Sequence, residues 1–328
     1  MVRKVKNSIV LALTLLVCVT ANAQDPHFSQ FFAAPLYLNP AMAGTAGINR
    51  VSLNYRNQFP SVNAYEQYAI GIDGNINAIN SGIGLFIMQD QQASSFSTTY
   101  ASLAYSYQLR VSNNVTIRPA LKATVINKSI SDADLIFDFI QGPNGPEGQG
   151  AAASGESSLN QSKSIVDFGA GLVIFSPNFY AGAAVDHLTE PDESFTGNQA
   201  SPLSMKITAH VGAVVPIGGG PNASTTFSPN LLFQTQGSNR QLVPGAYIGF
   251  GPIIVGAYYR YVFTNSDAAI ALIGLQQGFY RIGYSYDFTV SELSSAISGA
   301  HEVSLAVEFG IKKKSKPSRW RAIDCPKF

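Results

Sequence analysis

Residues 278–309 read GFYRIGYSYDFTVSELSSAISGAHEVSLAVEF, two alternating arms joined by a link of small residues. In the first arm Tyr280, Ile282, Tyr284, Tyr286 and Phe288 alternate with Arg281, Gly283, Ser285 and Asp287. In the second, Val303, Leu305, Val307 and Phe309 alternate with Glu302, Ser304, Ala306 and Glu308. A period of two sends successive side chains to opposite faces of a strand. The stretch therefore reads as a β-hairpin with one aromatic and aliphatic face and one face that carries charge. A soluble sandwich would turn the apolar face inward. A membrane barrel turns it out to lipid and keeps the polar face for its lumen. Two features favour the barrel: the pattern recurs along most of the chain, and the chain opens on an export signal.

That signal is Arg3, Lys4 and Lys6, an apolar run from Ile9 to Val19, then Ala21-Asn22-Ala23. A basic region, a hydrophobic core and a small-x-small cleavage site make a secretory signal peptide, 1–23. The run is too short for a membrane-spanning helix, which takes ~20 residues. Leu15-Leu16-Val17-Cys18 resembles a lipoprotein box only faintly, with Val where a small residue belongs. A chain starting at Gln24 keeps a single cysteine, Cys325, and so forms no internal disulfide. Charged residues make up 12% of the sequence, about half of the ~25% usual in soluble domains. Gly and Tyr are abundant and no apolar run approaches a spanning helix. This is the composition of an outer-membrane β-barrel.

Fourteen alternating segments follow, near 48–58, 66–75, 81–90, 97–109, 114–127, 163–175, 178–187, 204–215, 225–236, 240–250, 252–264, 267–276, 279–290 and 301–311. Each is about the 9–11 residues that a tilted membrane strand needs. The fold expected is an all-β, transmembrane antiparallel barrel over 48–311. Ahead of it, 24–47 is aromatic and Pro-rich, an N-terminal periplasmic or plug-like segment at the barrel mouth or in the lumen. Behind it, 312–328 is a short periplasmic tail. An even strand count puts both ends of the chain on one side. The longest connections, Lys128–Ser162 and Leu188–Leu203, then fall outside, and the tight links Arg110–Asn113 and Ser176–Pro177 fall inside. Pro216–Ser224 is a longish turn on the wrong side.

Chemistry is scarce. The four histidines, His27, His187, His210 and His301, have no metal spacing, and there is no HExxH, GxSxG, P-loop or CxxC. No catalytic set, cofactor or metal centre is expected. Asp132, Asp134 and Asp138 suit either a solvated acidic loop or a hard cation such as calcium. Thr289-Val-Ser-Glu292 has capping-box spacing, which predicts a short helix ended by Gly299. The inward charges Arg118, Lys122, Lys206, Arg260, Arg281, Glu302 and Glu308, with Asp167, Asp186 and Asp287, either line a pore or pair with one another in a filled lumen. Fourteen strands lie between small packed barrels and the roughly 16–18 strands of open porins. The tail carries Lys312, Lys313, Lys314, Lys316, Arg319, Arg321 and Lys327 against Asp324 alone. It suits anionic lipid head groups or a periplasmic partner; compartment excludes nucleic acid.

Three ordered stretches resemble the PorP/SprF family of type IX secretion system membrane proteins of Bacteroidetes. The first is QDPHFSQFFAAPLYLNPAMAG, with Gln24, Asp25, Pro26, Phe28, Ser29, Gln30, Asn39, Pro40 and Gly44. The second is YRIGYSYDFTVSELSSAISGAHEVSL, with Tyr284, Tyr286, Asp287, Ser298, Gly299, His301, Glu302 and Leu305. The third is the terminal CPKF, with Cys325, Pro326 and Phe328. The resemblance implies a non-enzymatic outer-membrane barrel that embeds in outer-membrane lipid and acts in protein secretion and gliding motility. It implies two kinds of partner: a secreted, adhesin-like surface protein with a type B C-terminal signal, and the periplasmic ring lipoproteins of the secretion machine. The alternative from a different class is a porin or a transporter of hydrophobic compounds.

Overall fold

The computed structural model describes residues 25–62, 65–92, 95–130, 161–195, 200–218, 225–263, 265–290 and 299–310. The expected signal peptide, the acidic stretch with Asp132, Asp134, Asp138, Glu147 and Glu156, the predicted helix after Val290, Ser298 and the basic tail with Cys325, Pro326 and Phe328 lie outside them.

Fourteen antiparallel strands close into a barrel. They are β1 (Asn49–Gln58), β2 (Tyr65–Ile76), β3 (Ser81–Gln92), β4 (Phe96–Tyr107), β5 (Thr116–Ile130), β6 (Gln161–Phe175) and β7 (Phe179–Asp186). Then come β8 (Lys206–Ala213), β9 (Thr225–Gln236), β10 (Asn239–Phe250), β11 (Ile253–Val262), β12 (Asn265–Gln277), β13 (Tyr280–Thr289) and β14 (Ala300–Phe309). Leu109–Arg110 continues β4 along β5, and Val215–Ile217 continues β8 along β9. Each strand pairs with its sequence neighbours. The ring closes where β14 meets β1, from Asn49↔Phe309 to Gln58↔Ala300. Closure removes the free edges that an open sheet would expose, which is what a β-structure in lipid requires.

The alternation seen in the sequence is realised inside out. On β4, Leu103 and Tyr105 face outward while Ser102, Ala104 and Ser106 are buried. Leu121 on β5 is 67% exposed, whereas Arg56 and Glu302 are 1% and 0% exposed. Large apolar side chains at the surface and charges in the middle are the reverse of a soluble protein. They fit a molecule whose outer solvent is hydrocarbon. The short connections after β6, β10 and β12 share one end of the barrel, here the turn end, with Asn49 and Phe309. The long connections after β5, β7 and β13 share the other, the loop end.

The lumen holds the chain's own N-terminal segment. Phe31–Ala33 and Pro40–Met42 are 3₁₀ turns and Pro35–Leu38 is one helical turn. Pro35 and Pro40 begin their turns, where a fixed φ helps and a missing N–H costs nothing. The Asn39 side chain caps the third turn by accepting from Ala41 N. Between Phe28 and Ala43 nearly every residue is buried. Phe31, Phe32, Leu38 and Met42 form one core with inward residues such as Val173, Tyr180, Tyr247 and Tyr258. Phe28, Ala34, Leu36 and Ala43 form a second with Ala69, Phe86, Met88 and Ala104.

Candidate functional site in the lumen

The segment is gripped at three levels. At the loop end Asp25 meets His187 and Lys206. His187 follows β7 with φ at +59°, a left-handed conformation uncommon for a residue other than glycine. That turn aims both its N–H and its ring into the barrel. Asp167 Oδ2 lies 3.1 Å from His187 N, which donates to it, and 2.9 Å from Nδ1. Nε2 lies 2.8 Å from Asp25 Oδ2. Lys206 Nζ approaches the same oxygen at 3.4 Å and donates to Tyr37 OH at 2.8 Å. Burial alone would raise the Asp25 pKa, but Lys206 and His187 overcome it and hold the carboxyl well below the usual range. Burial alone would lower that of His187; Asp25 and Asp167 outweigh it and push it up to about 9.

Just below, four charged residues from β1, β11, β13 and β14 close on Ser29 and Gln30. The Glu302 carboxylate accepts the backbone N–H of Ser29 at 2.7 Å and of Gln30 at 3.0 Å. Ser29 Oγ donates to Asp287 at 2.6 Å and accepts from Arg56 at 2.7 Å and Arg260 at 3.2 Å. Both guanidinium groups also reach Asp287, at 2.9 and 2.8 Å, and Arg56 reaches Glu302 at 3.3 Å. The Gln30 amide donates to Ser285 Oγ and Glu302 O and accepts from Ser304. Unpaired charge away from water is costly, so this cluster holds only while complete.

Toward the turn end the grip passes to main chain. Asn39 Nδ2 donates to Ala183 O at 3.1 Å. Gly44, at φ +72°, donates to Asp73, which pairs with Arg50 at 2.8 Å. Arg118 donates to Ala43 O and Ser106 Oγ, each at 2.8 Å. The wall opposite is cut back to glycine. A Cβ at Gly82 would lie 2.2 Å from Ala43 O, and one at Gly171 would lie 2.2 Å from Asn39 Oδ1.

The inward charges named from the sequence all take part in contacts inside the wall. Lys122 pairs with Asp186 at 2.5 Å and Arg281 with Glu308; Arg118, Lys206, Arg260 and Glu302 hold the segment as described. The motif residues divide. Asp25, Ser29, Gln30, Asn39 and Gly44 from the first stretch and Asp287 and Glu302 from the second meet in the lumen. Pro26, Phe28 and Pro40 lie in the same segment; Pro26 O accepts from Tyr37 OH. Tyr286 and His301 face outward with ring centroids 4.8 Å apart, Tyr284 OH is 2.8 Å from His301 Nδ1, and Leu305 lies on that outer face. Gly299 O accepts from Phe59 N. Sequence reading did not single out Arg50, Arg56 and Asp73, although β1 repeats the hairpin's alternation with Arg50, Ser52, Asn54 and Arg56 inward. It saw His187 only as a histidine without metal spacing. Among the described residues, no group of three or more His, Cys, Asp or Glu is arranged to hold a metal ion.

A closed antiparallel barrel with an apolar outside and a charged, filled inside is an outer-membrane β-barrel. Over residues 20–307 the chain matches the family described as type IX secretion system membrane protein PorP/SprF, and it belongs to that family. Among solved structures it is similar to the toluene transporter TbuX of Ralstonia pickettii, at 12% identity over 89% of this chain and 96% of that one, TM-score 0.49. It is also similar to the outer membrane protein Omp33 of Acinetobacter baumannii, at 7% identity over 80% and 98%, TM-score 0.46. No curated protein matches the chain.

Proposed function

We propose that this protein is a non-catalytic outer-membrane scaffold of type IX secretion, which supports export or surface attachment of a cognate secreted protein. The observation that carries the reading is the lumen, occupied from the loop end to the turn end by residues 25–47 and tied by buried ion pairs. An open pore for solutes needs that space; a scaffold does not. Family membership supplies the secretion context. The loop end faces the outside, as the long loops of such barrels do, and presents the acidic connections to an adhesin-like partner with a type B C-terminal signal. The turn end faces the periplasm, where the basic 312–328 tail meets ring lipoproteins of the machine.

The test is mass spectrometry of what co-purifies with a tagged full-length copy, extracted from native outer membranes in mild detergent. A large surface protein or ring components in stoichiometric amount support the proposal. A barrel recovered alone that conducts steadily in planar bilayers overturns it in favour of a porin or a hydrophobic-compound transporter.

A further inference from the structure

The barrel rim is stepped. β6 runs from Gln161 to Phe175, but its pairing with β7 covers only Ala170↔Val185 to Phe175↔Tyr180. On its other side β6 stays paired with β5 over its full length, to Gln161↔Ile130. Asp186 ends β7 one residue past Val185, opposite Gly169, so with the Leu188 N to Phe168 O bond the residues that rise beyond it are 161–167, about 23 Å along the strand at ~3.3 Å per residue. The hydrogen bonds give the parity of this edge. Ser176 N donates to Phe179 O, and Leu188 N donates to Phe168 O. Even-numbered residues of β6 thus point their backbone groups away from β5, toward the β7 side. Beyond Phe168 these are Val166, Ser164 and Ser162. Among the described residues no strand lies against them.

Above Val166 the outer face of the raised edge turns polar. Counting up the outer face, Val125↔Val166 is the last apolar pair; Asn127↔Ser164 and Ser129↔Ser162 follow. The rows continue sideways as Thr99 and Gln89, then Ser97 and Gln91. The connection after β7 turns to the other face. Lys163 and Lys128 lie opposite each other in the β5–β6 ladder. Lys163 reaches Asp192 and Ser194 O, and Lys128 reaches Glu193 at 2.5 Å. Thr189 donates to the buried Asp167. The described residues of this connection tie down the inner face, and none of them pairs with the lateral edge.

We infer that the Ser162–Val166 edge takes up one extended strand of the secreted partner by main-chain addition. The inference rests on the secretion reading and gives it a place of contact. Alternating N–H and C=O groups at strand spacing are complemented by another extended backbone. Lipid offers no such pattern, and the polar rows put Ser162 and Ser164 above the apolar band, with Val166 at its boundary. Small outward side chains at 162 and 164 leave room for a neighbour of any sequence, so pairing at this edge supplies grip without choosing the partner.

The experiment is amide hydrogen exchange of the full-length protein, in native outer-membrane vesicles and after purification in detergent. The amides of Ser162, Ser164 and Val166 exchange slower by more than about tenfold in the vesicles. Equal rates overturn the inference. Protection that grows with concentration in the purified protein also overturns it, because the occupant is then a second copy. Ser162→Pro with Ser164→Pro removes N–H groups that face the edge and, of the contacts to β5, gives up the Asn127 Nδ2 to Ser164 Oγ hydrogen bond but not the main-chain ladder, which unchanged heat-modifiable gel mobility verifies. The double variant loses surface retention of the partner. If it retains the partner while deletion of the whole chain alters the cell-surface proteins, the edge is wrong and the secretion reading stands. If deletion alters nothing, the secretion reading fails first.

Discussion

Glu302 is a carboxylate with no exposure that accepts two backbone N–H groups and faces a guanidinium. Truncating it leaves Arg56 partly uncompensated and strands two donors. Breaking a buried charge pair typically costs about 3–5 kcal/mol. Glu302→Ala is expected to fall in that range, and Glu302→Gln, which still offers an acceptor, to lose less. Urea titration of the barrel refolded into vesicles, read by gel mobility, measures both. His187 gives a pH dependence. Its folded pKa of about 9 lies above the ordinary 6.5, so the folded state binds the proton more tightly. The stabilisation is complete below 6.5, declines between 6.5 and about 9 and is gone above. Asp25 and Asp167 attract that proton, and Lys206, paired with Asp25, opposes it. Amides near Asp25 should therefore gain more exchange across this window than base catalysis alone gives. His187→Gln should abolish the excess. Few of these contacts were legible beforehand. Alternation marks which side chains face in, but Ser29 and Glu302 are 273 residues apart, and period-two patterning carries no information about which inward groups meet.

The strands were legible almost to their ends because lipid outside and a filled lumen inside impose opposite demands on alternate residues. The signal weakens where the ladder does. In β10 the pairing with β11 skips between Leu242↔Tyr261 and Gly245↔Tyr258, around Pro244, which has no N–H to donate. β11 shifts register against β12 at Arg260/Tyr261. The N-terminal segment was legible as neither helix nor central strand, and its path down the lumen was not, since short turns have no period. Its fit depends on the glycine-lined wall. Gly82→Val puts carbon where Ala43 O lies, and backbone cannot step aside as a flexible side chain can. The expected result is a lower melting temperature by heat-modifiable mobility and faster proteolysis within 25–47. A variant as stable and as resistant as the parent would show that the segment is loosely held.

For the whole molecule, filling and conductance are opposed. The intact protein should conduct little in planar bilayers, and a chain lacking 25–47 should insert and conduct steadily, provided gel mobility shows a closed barrel. Exchanging 131–160 for the corresponding loop of another family member should change which surface protein is retained. Unchanged retention would count against choice of partner by that loop. Removing 312–328 should leave insertion intact and weaken periplasmic association.

The seam between β1 and β14 is also where the filling is fastened: Arg56 comes from one side of it, Glu302 from the other, and Ser29 lies between them. The ends of an open sheet cannot present these groups together. A chain folding without residues 25–47 would bring Arg56 and Glu302 together over an empty space. The segment is therefore expected to act as a template for its own enclosure, an internal mandrel that hastens the meeting of first and last strands without being required for it. Supplied as a separate peptide, it should speed ring closure of a chain made without it.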